Sequence, residues 1–147
     1  MTEFARRTSE IKISGIRRVF EAAGEDAVNL GLGEPDFDTP DHIKQAAVEA
    51  IEEGSASGYT NNAGLDPLRE AIADDVGFEA SSDEVIVTSG GSEGLHLAVQ
   101  AHVNPGDEIV VPDPGFVSYD ALSKVADARP VPVELADDLR MEPEAVK

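Results

Sequence analysis

Apolar residues recur along the chain with the period of a helix in some segments and of a buried strand in others. The clearest helical pattern places five apolar side chains on one face, at i, i+3, i+4, i+7 and i+8. These residues are Ile43, Ala46, Ala47, Ala50 and Ile51. We expect Thr39 to cap this helix, Pro40 to take its first position and Gly54 to end it.

Beyond this helix the pattern alternates between strands and helices. The other predicted helices cover residues 9–23, 66–76, 92–103 and 116–126, with a last one opened by Pro143. The predicted strands cover 84–88, 108–112 and 130–133, and residues 28–36 have the pattern of a strand that enters a loop. Apolar, β-branched strands that alternate with helices predict an α/β fold with a mainly parallel sheet flanked by helices. Three strands in succession make an incomplete sheet.

The composition indicates one folded domain and excludes several kinds of chemistry. The chain has 147 residues, 41% of them hydrophobic, which suffices for a core. It has no cysteine, so disulfides, thiol nucleophiles and thiolate metal sites are excluded. Neither a signal-peptide core nor an apolar run of about 18 residues occurs, so we expect a cytoplasmic protein that does not enter a membrane.

The charge is strongly acidic and unevenly distributed. Thirty acidic residues oppose eleven basic ones, for a net charge of −19. Residues 1–18 hold five basic and two acidic residues, a local +3 that leaves −22 for the rest of the chain. That charge excludes a nucleic-acid groove on the remainder and docking to an anionic membrane. Such an acidic charge is typical of proteins from a salt-rich cytoplasm, where repulsion between charges is screened over ~3 Å at 1 M ionic strength. The alternative is an acidic protein from a mesophilic organism.

A glycine-rich stretch over residues 87–95, Val-Thr-Ser-Gly-Gly-Ser-Glu-Gly-Leu, joins a predicted strand to a predicted helix. Its glycines let backbone N–H groups approach a ligand closely, and the free amides of a helix N-terminus bind anions such as phosphate. Three interpretations are open: a plain turn, a phosphate site for a cofactor, and a hydrolase nucleophile elbow of the form G-x-S-x-G with Ser92 as nucleophile. We favour the phosphate site.

The histidines weaken the hydrolase interpretation. A nucleophile elbow needs an acid and then a histidine later in the chain, but no histidine follows His102. Glu93 and His96 have the spacing of half a helical metal pair. The second half is missing, so we predict no metal site.

An aromatic residue follows the second predicted strand. Residues 113–119, Asp-Pro-Gly-Phe-Val-Ser-Tyr, lie at the carboxyl end of that strand, where α/β sheets bind their ligands. Phe116 could stack there on a planar ring, with core packing as the alternative for a lone phenylalanine.

Five segments together resemble the signature blocks of the class I/II aminotransferases, enzymes of fold type I that use pyridoxal 5'-phosphate. Each block matches in order and spacing over essentially the whole chain. The matches are residues 31–40 (G-E-P-D-F-x-T-P), 59–69 (Y-x-x-x-x-G-x-x-x-L-R), 88–95 (T-x-G-G), 104–108 (N-P-G-D-E) and 112–119 (P-x-Y-x-x-Y).

The resemblance implies how this chain would bind the cofactor. Gly91 and Ser92 would donate backbone N–H bonds to its phosphate, and Gly90 would allow the turn. Phe116 would stack on the pyridine ring. Tyr59 would reach the phosphate of the cofactor in the neighbouring subunit, so the family's homodimer would be needed for a complete site.

The resemblance also implies a substrate contact and a domain division. Gly33 would lie beside the carboxylate of the amino acid or 2-oxo acid substrate. Residues 1–38 would form an N-terminal arm and small-domain segment, and residues 39–147 the first part of the large cofactor-binding domain. Gly94 replaces the family's usual alanine, and Gly115 precedes Phe116 where two aromatic residues are common.

The family chain is more than twice as long as this one, and its later blocks are absent here. Those blocks supply the Schiff-base lysine, the partners of the pyridine nitrogen and phenolic oxygen, and a substrate-binding arginine. We therefore expect the chain alone to have no transaminase activity. Another fold type I enzyme, such as a lyase or decarboxylase, and a non-catalytic interaction module are the alternatives.

Overall fold

Helices make up most of the regular structure in the computed structural model, which describes residues 4–9, 11, 15–22, 24, 28, 30 and 33–146. The described α-helices are α1 (Arg6–Ser9), α2 (Gly15–Ala22), α3 (Asp41–Glu52), α4 (Asp66–Asp75), α5 (Gly90–His102) and α6 (Val117–Val125). The strands are β1 (Glu108–Asp113) and β2 (Arg129–Glu134), and short 3-10 turns cover Ser82–Glu84 and Pro143–Val146. None of the described helices is both long and apolar enough to cross a membrane.

The described residues divide into two units. The sheet unit comprises those within Met1–Gly31 and Ser89–Lys147, and the helical unit comprises those within Leu32–Thr88. Both strands belong to the sheet unit, whereas α3 and α4 belong to the helical unit. The family's division into segments 1–38 and 39–147 stays a prediction.

In the sheet unit, β1 and β2 pair in parallel, with Glu108 opposite Arg129 and Asp113 opposite Glu134. Helix α6 connects them and contacts both strands. Parallel strands joined by a helix bury their apolar residues, and Val111 and Val133 are only 8% and 7% exposed. The predicted strand–helix–strand unit and the α/β class are thereby confirmed.

Backbone hydrogen bonds after α6 set the start of β2. Ser123, 1% exposed, donates its hydroxyl to the Tyr119 carbonyl at 2.7 Å, and its own carbonyl accepts the Ala128 N–H at 2.9 Å. The Arg129 N–H then donates to the Asp107 carbonyl at 2.8 Å. The first residue of β2 is therefore tied to the turn that precedes β1.

In the helical unit, the side chain of Arg69 on α4 contacts the segment after the helix. Its Nε donates to the Val85 carbonyl at 3.0 Å, and a terminal nitrogen donates to the Ser82 carbonyl. A second loop packs on the same segment, because a Cβ on Gly64 would lie 2.6 Å from Val87 Cγ2. Gly64 also has a φ of +109°, so glycine is required there twice over.

The predicted strand over residues 84–88 is wrong. Glu84 ends a 3-10 turn, and residues 85–88 run without joining a sheet. A strand needs a neighbour for its backbone ladder, whereas here the Val87 N–H bonds the Ala63 carbonyl at 2.8 Å in a loop.

Several helix boundaries also differ from the predictions. The predicted helix over 9–23 is instead α1 and α2, and residues 10, 12–14 and 23 lie outside the described residues. Helix α3 begins one residue later than predicted, with Pro40 at its N-cap, so the predicted cap at Thr39 is wrong. Proline has no side-chain acceptor, and this N-cap therefore makes no side-chain hydrogen bond. Helix α5 begins two residues earlier than predicted, and Pro143 opens a 3-10 turn where an α-helix was expected.

Other boundaries match closely. Gly54 has a φ of +76° just beyond α3, which confirms its predicted role in ending that helix. Pro67 lies in the first turn of α4. The predicted strand entering a loop over 28–36 lies partly outside the described residues, and the described part from residue 33 to 40 has no regular structure.

Candidate functional site

The glycine turn (Gly90–Ser92) forms the first turn of α5. Ser89 is the N-cap residue, and the helix starts at Gly90 with a φ of +73°, a conformation that favours glycine. The first N–H groups of any helix lack an intrahelical acceptor. The amides of Gly91 and Ser92 are therefore available for an external anion, at the end of the helix where its dipole is positive.

Open space surrounds the backbone of this turn. A Cβ built on Gly90 or Gly91 meets no atom within 4 Å, and all three residues of the turn are exposed. Packing within the chain therefore does not explain the glycine at position 91. Its missing side chain leaves room for a bulky group, such as a phosphate, to reach the amides.

One carboxylate lies close to this anion site. Glu93, also in the first turn of α5, accepts a hydrogen bond from the Ser89 N–H. A carboxylate in the first helical turn is stabilised by the helix dipole and here bonds the N-cap residue. The amides of Gly91 and Ser92 are not used by this contact.

The hydrolase interpretation gains no support from the geometry. No hydrogen bond among the described residues joins the Ser92 hydroxyl to a histidine, although His42, His96 and His102 are all described. A serine nucleophile needs such a base within reach. Nor do the described residues include a group of three or more potential metal ligands.

Phe116 lies between β1 and α6, as the N-cap residue of α6. Its side chain is 51% exposed, and its ring meets that of Tyr119 edge to face, with centroids 5.7 Å apart. The preceding Gly115 is required by packing, because a Cβ there would lie 2.3 Å from the Pro112 carbonyl oxygen. The chain thus bends sharply at the end of β1 and presents the Phe116 ring to solvent.

The glycine turn and Phe116 belong to neighbouring helices of the same unit. Helices α5 and α6 contact each other, and Leu95 of α5 and Tyr119 of α6 line a common groove of about 210 Å³. The glycine turn and Phe116 each lie at the N-terminal start of one of these helices. The sheet unit therefore presents an anion site and a half-exposed aromatic ring at the starts of two adjacent helices.

The other two predicted site residues lie in the helical unit. Tyr59 is fully exposed in a loop, and Gly33 is exposed with no atom within 4 Å of a built Cβ. Both are accessible to a ligand or another chain. Their roles towards the cofactor phosphate and the substrate stay predictions.

An ion pair occurs in the segment that resembles G-E-P-D-F-x-T-P. The Lys44 ammonium contacts the Asp38 carboxylate and lies 3.6 Å from that of Asp41. The bond from Lys44, and then that from the Thr39 N–H, lowers the pKa of Asp38. The Lys44 and Asp38 side chains are 41% and 81% exposed, so solvent screens this pair and it contributes little to stability.

Sequence reasoning gave Tyr119 no role, although the structure places its ring against Phe116. The signal was present in the spacing, because residues i and i+3 at the start of a helix are neighbours. Two aromatic residues at that spacing, directly after a strand, indicate a pair that forms one surface.

Comparison with known proteins agrees with these observations. The family model for aminotransferase class I and II matches residues 25–147. The aspartate aminotransferase of Pyrococcus horikoshii is 46% identical over 140 residues, which cover 91% of this chain and 36% of that protein. The probable aspartate aminotransferase of Methanocaldococcus jannaschii is 41% identical, over 96% of this chain and 38% of that protein.

A solved structure shows the same agreement in three dimensions. The aspartate aminotransferase from Thermus thermophilus with maleate superposes with a TM-score of 0.89 at 37% identity. The match covers 99% of this chain and 41% of that one. The chain thus spans about two fifths or less of the length of these relatives.

Proposed function

The chain belongs to the class I and II aminotransferases, and on that premise we propose that it is part of a pyridoxal-phosphate enzyme. The whole protein transfers an amino group from an amino acid to a 2-oxo acid. One observation carries the proposal: the accessible amides of Gly91 and Ser92 begin α5, and the half-exposed Phe116 begins the adjacent helix α6. An anion site and an aromatic face at the starts of two adjacent helices suit a cofactor with a phosphate and a planar ring.

The glycine turn holds the phosphate. Gly91 and Ser92 donate their N–H groups, and the exposed Ser92 hydroxyl is a further donor. Hydrogen bonds to a charged group contribute about 1.5–3 kcal/mol each. The net charge of −19 does not prevent this, because screening in about 0.15 M salt acts over ~8 Å while the amides act at contact.

Phe116 orients the ring of the cofactor by stacking on it. Aromatic pairs contribute about 0.5–1.5 kcal/mol beyond the area that they bury. When bound, pyridoxal phosphate supplies an electron sink for the carbanion at the α-carbon of the substrate. The contribution of this chain is to bind and orient the cofactor.

A second chain and the substrate complete the site. In this proposal the protein is a homodimer, in which the exposed Tyr59 reaches the cofactor phosphate of the partner subunit and Gly33 lies beside the substrate carboxylate. The relatives named above are aspartate aminotransferases. We therefore take aspartate as the amino donor.

The charge supports a cytoplasmic enzyme adapted to high salt. Residues 19–147 carry −22, so self-repulsion destabilises the folded state until salt screens it. The melting temperature of the full-length protein should rise steadily as KCl increases. A melting temperature that is independent of KCl would contradict the adaptation and leave the enzymatic proposal intact.

The proposal is tested by placing a side chain in the glycine turn. In the full-length protein, Gly91→Ala adds a Cβ that meets no protein atom but occupies the approach to the amides. We expect the Kd for pyridoxal phosphate, measured by titration of its visible absorbance, to rise at least about tenfold, and transfer from aspartate to fall with it.

Gly24→Ala is the matched control. Its built Cβ also meets nothing, and it lies outside the proposed site, so its Kd should equal that of the wild-type protein. An unchanged Kd in Gly91→Ala would sink the assignment of the phosphate site. A full-length protein that binds no pyridoxal phosphate would sink the function itself.

A further inference from the structure

Tyr119 lies one helical turn after Phe116 and touches its ring. The two rings are nearly perpendicular, at 83°, with centroids 5.7 Å apart. We propose that Tyr119 is a positioning residue, which holds the ring of Phe116 in the orientation that stacks on the cofactor. This inference rests on the proposed function.

Phe116 needs such a support because the backbone leaves its side chain free. It precedes α6 as the N-cap residue, with an extended ψ of 128°, and half of its surface is exposed. Gly115 before it offers no side chain to pack against. Among the described residues, Tyr119 is its ring partner.

Tyr119 is itself held in place. Its N–H donates to the Phe116 carbonyl at 3.0 Å, and its carbonyl accepts the hydroxyl of the buried Ser123 at 2.7 Å. Its ring lines the groove between α5 and α6, together with Leu95, Val99 and Leu122. The backbone of Tyr119 is thus fixed within α6, and its ring, edge to face against that of Phe116, limits the rotation of the Phe116 side chain.

The support comes from the ring of Tyr119 and not from its hydroxyl. Within the described residues, the phenolic oxygen makes no hydrogen bond. Edge-to-face contact depends on the ring quadrupole, which phenylalanine shares. Tyr119→Phe should therefore preserve the orientation of Phe116, whereas an aliphatic residue should release it.

The experiment uses the full-length protein with pyridoxal phosphate as the probe. Tyr119→Leu is compared with Tyr119→Phe for the cofactor Kd and for the visible circular dichroism of the bound cofactor, which reports a fixed ring orientation. We expect Tyr119→Leu to raise the Kd roughly two- to tenfold and to reduce the dichroic band. Tyr119→Phe should match the wild-type protein in both measurements.

Leu122→Ala is the control for loss of packing. Leu122 lines the same groove but has no aromatic ring to pair with that of Phe116. It should lower the melting temperature without changing the Kd or the dichroic band. If Leu122→Ala reduces the band as much as Tyr119→Leu does, the effect is general loosening and the positioning role is refuted.

A double-variant comparison separates this inference from the proposed function. In a Phe116→Leu background, Tyr119→Leu should have no further effect on the Kd, because no ring is left to orient. An equal effect in both backgrounds would overturn the positioning role. If Tyr119→Leu does not fold, Tyr119→Met replaces it, with the same expected results. A wild-type protein that binds no cofactor would instead refute the proposed function.

Discussion

The extended segments of the two units make their backbone hydrogen bonds in different ways. In the sheet unit, β1 finds its partner β2 directly after α6, and the two form a regular parallel ladder. In the helical unit, residues 85–88 have a similar apolar pattern but form no ladder. Their contacts include backbone bonds from Val87 to Ala63 and from Val85 to Ser82, and a bond from the side chain of Arg69 to the Val85 carbonyl. An apolar run thus specifies an extended backbone, whereas a strand also requires a neighbour within reach.

The same difference separates the candidate site residues. The glycine turn and Phe116 belong to the sheet unit, where the ends of helices and a strand fix their backbone. Tyr59 and Gly33 lie in loops of the helical unit. Residues at the ends of helices and strands are held in position within one chain, whereas residues in loops depend on a ligand or another chain for a fixed position.

The largest effect is expected from Gly115→Ala in the sheet unit. The new Cβ would lie 2.3 Å from the Pro112 carbonyl oxygen, so backbone must move at the end of β1. We expect a loss of about 3 kcal/mol, the upper part of the range for overpacking, measured as a lower melting temperature of the full-length protein. The cofactor Kd should rise as well, because Phe116 is the next residue.

Gly91→Ala serves as the control in the same unit, since its Cβ meets no atom and its stability should change by less than about 0.5 kcal/mol. Hydrogen exchange locates the damage of Gly115→Ala. If amide exchange becomes faster only in β1, β2 and α6, the loss of stability is confined to the sheet unit. Equally faster amide exchange in α3 would contradict the distinction between the two units.

A smaller effect is expected from Arg69→Met in the helical unit. The side chain of Arg69 is 13% exposed and donates to the carbonyls of Val85 and Ser82, so its loss leaves both without these donors. We expect about 2 kcal/mol less protection of the amides of residues 82–88 in hydrogen exchange.

Arg140→Met is the matched control, because the Arg140 side chain bonds the nearby Asp138, has no other partner in the described part of the chain, and is largely exposed. Its effect should be about 0–1 kcal/mol. If Arg69→Met leaves the exchange of residues 82–88 unchanged, the backbone of that segment is stable without the side chain, and the contrast between the units loses its basis.

The smallest effect concerns pH at the turn that begins the same segment. Hydrogen bonds from the Ser81 N–H, and then from the Ser81 hydroxyl, lower the pKa of Glu84 from its ordinary 4.5. A carboxyl with a lowered pKa stabilises the fold fully above its ordinary value, and this contribution is lost as the pH falls through the lowered one. Order in the Ser82–Glu84 turn should therefore decrease below about pH 4.5.

An NMR titration of the Glu84 carboxyl checks this expectation. Ser81→Ala removes the smaller of the two causes, so the pKa of Glu84 should rise only part of the way to its ordinary value. A wild-type Glu84 that titrates at 4.5 or above would show that the capping box does not form in solution.

Patterns that depend on local chemistry predicted the structure well. The amphipathic face of α3, Gly54 beyond it and Pro67 in α4 were all evident, because each depends on helix periodicity or on a backbone preference of one residue. The paired strands were found because a short crossover joins them. The order of the signature blocks identified the family.

Features that depend on contacts far along the chain could not be predicted. Residues 84–88 resemble a strand in composition, and only their loop contacts to Ala63 and Arg69 show that they do not pair. The edge-to-face contact that gives Tyr119 its role depends on side-chain rotation, which sequence spacing suggests but does not determine.

The most direct test is a crystal structure of the full-length protein with bound pyridoxal phosphate. We expect phosphate oxygens within about 3 Å of the backbone nitrogens of Gly91 and Ser92, with the face of Phe116 against the pyridine ring. A phosphate bound elsewhere, with the first turn of α5 facing solvent alone, would contradict this expectation.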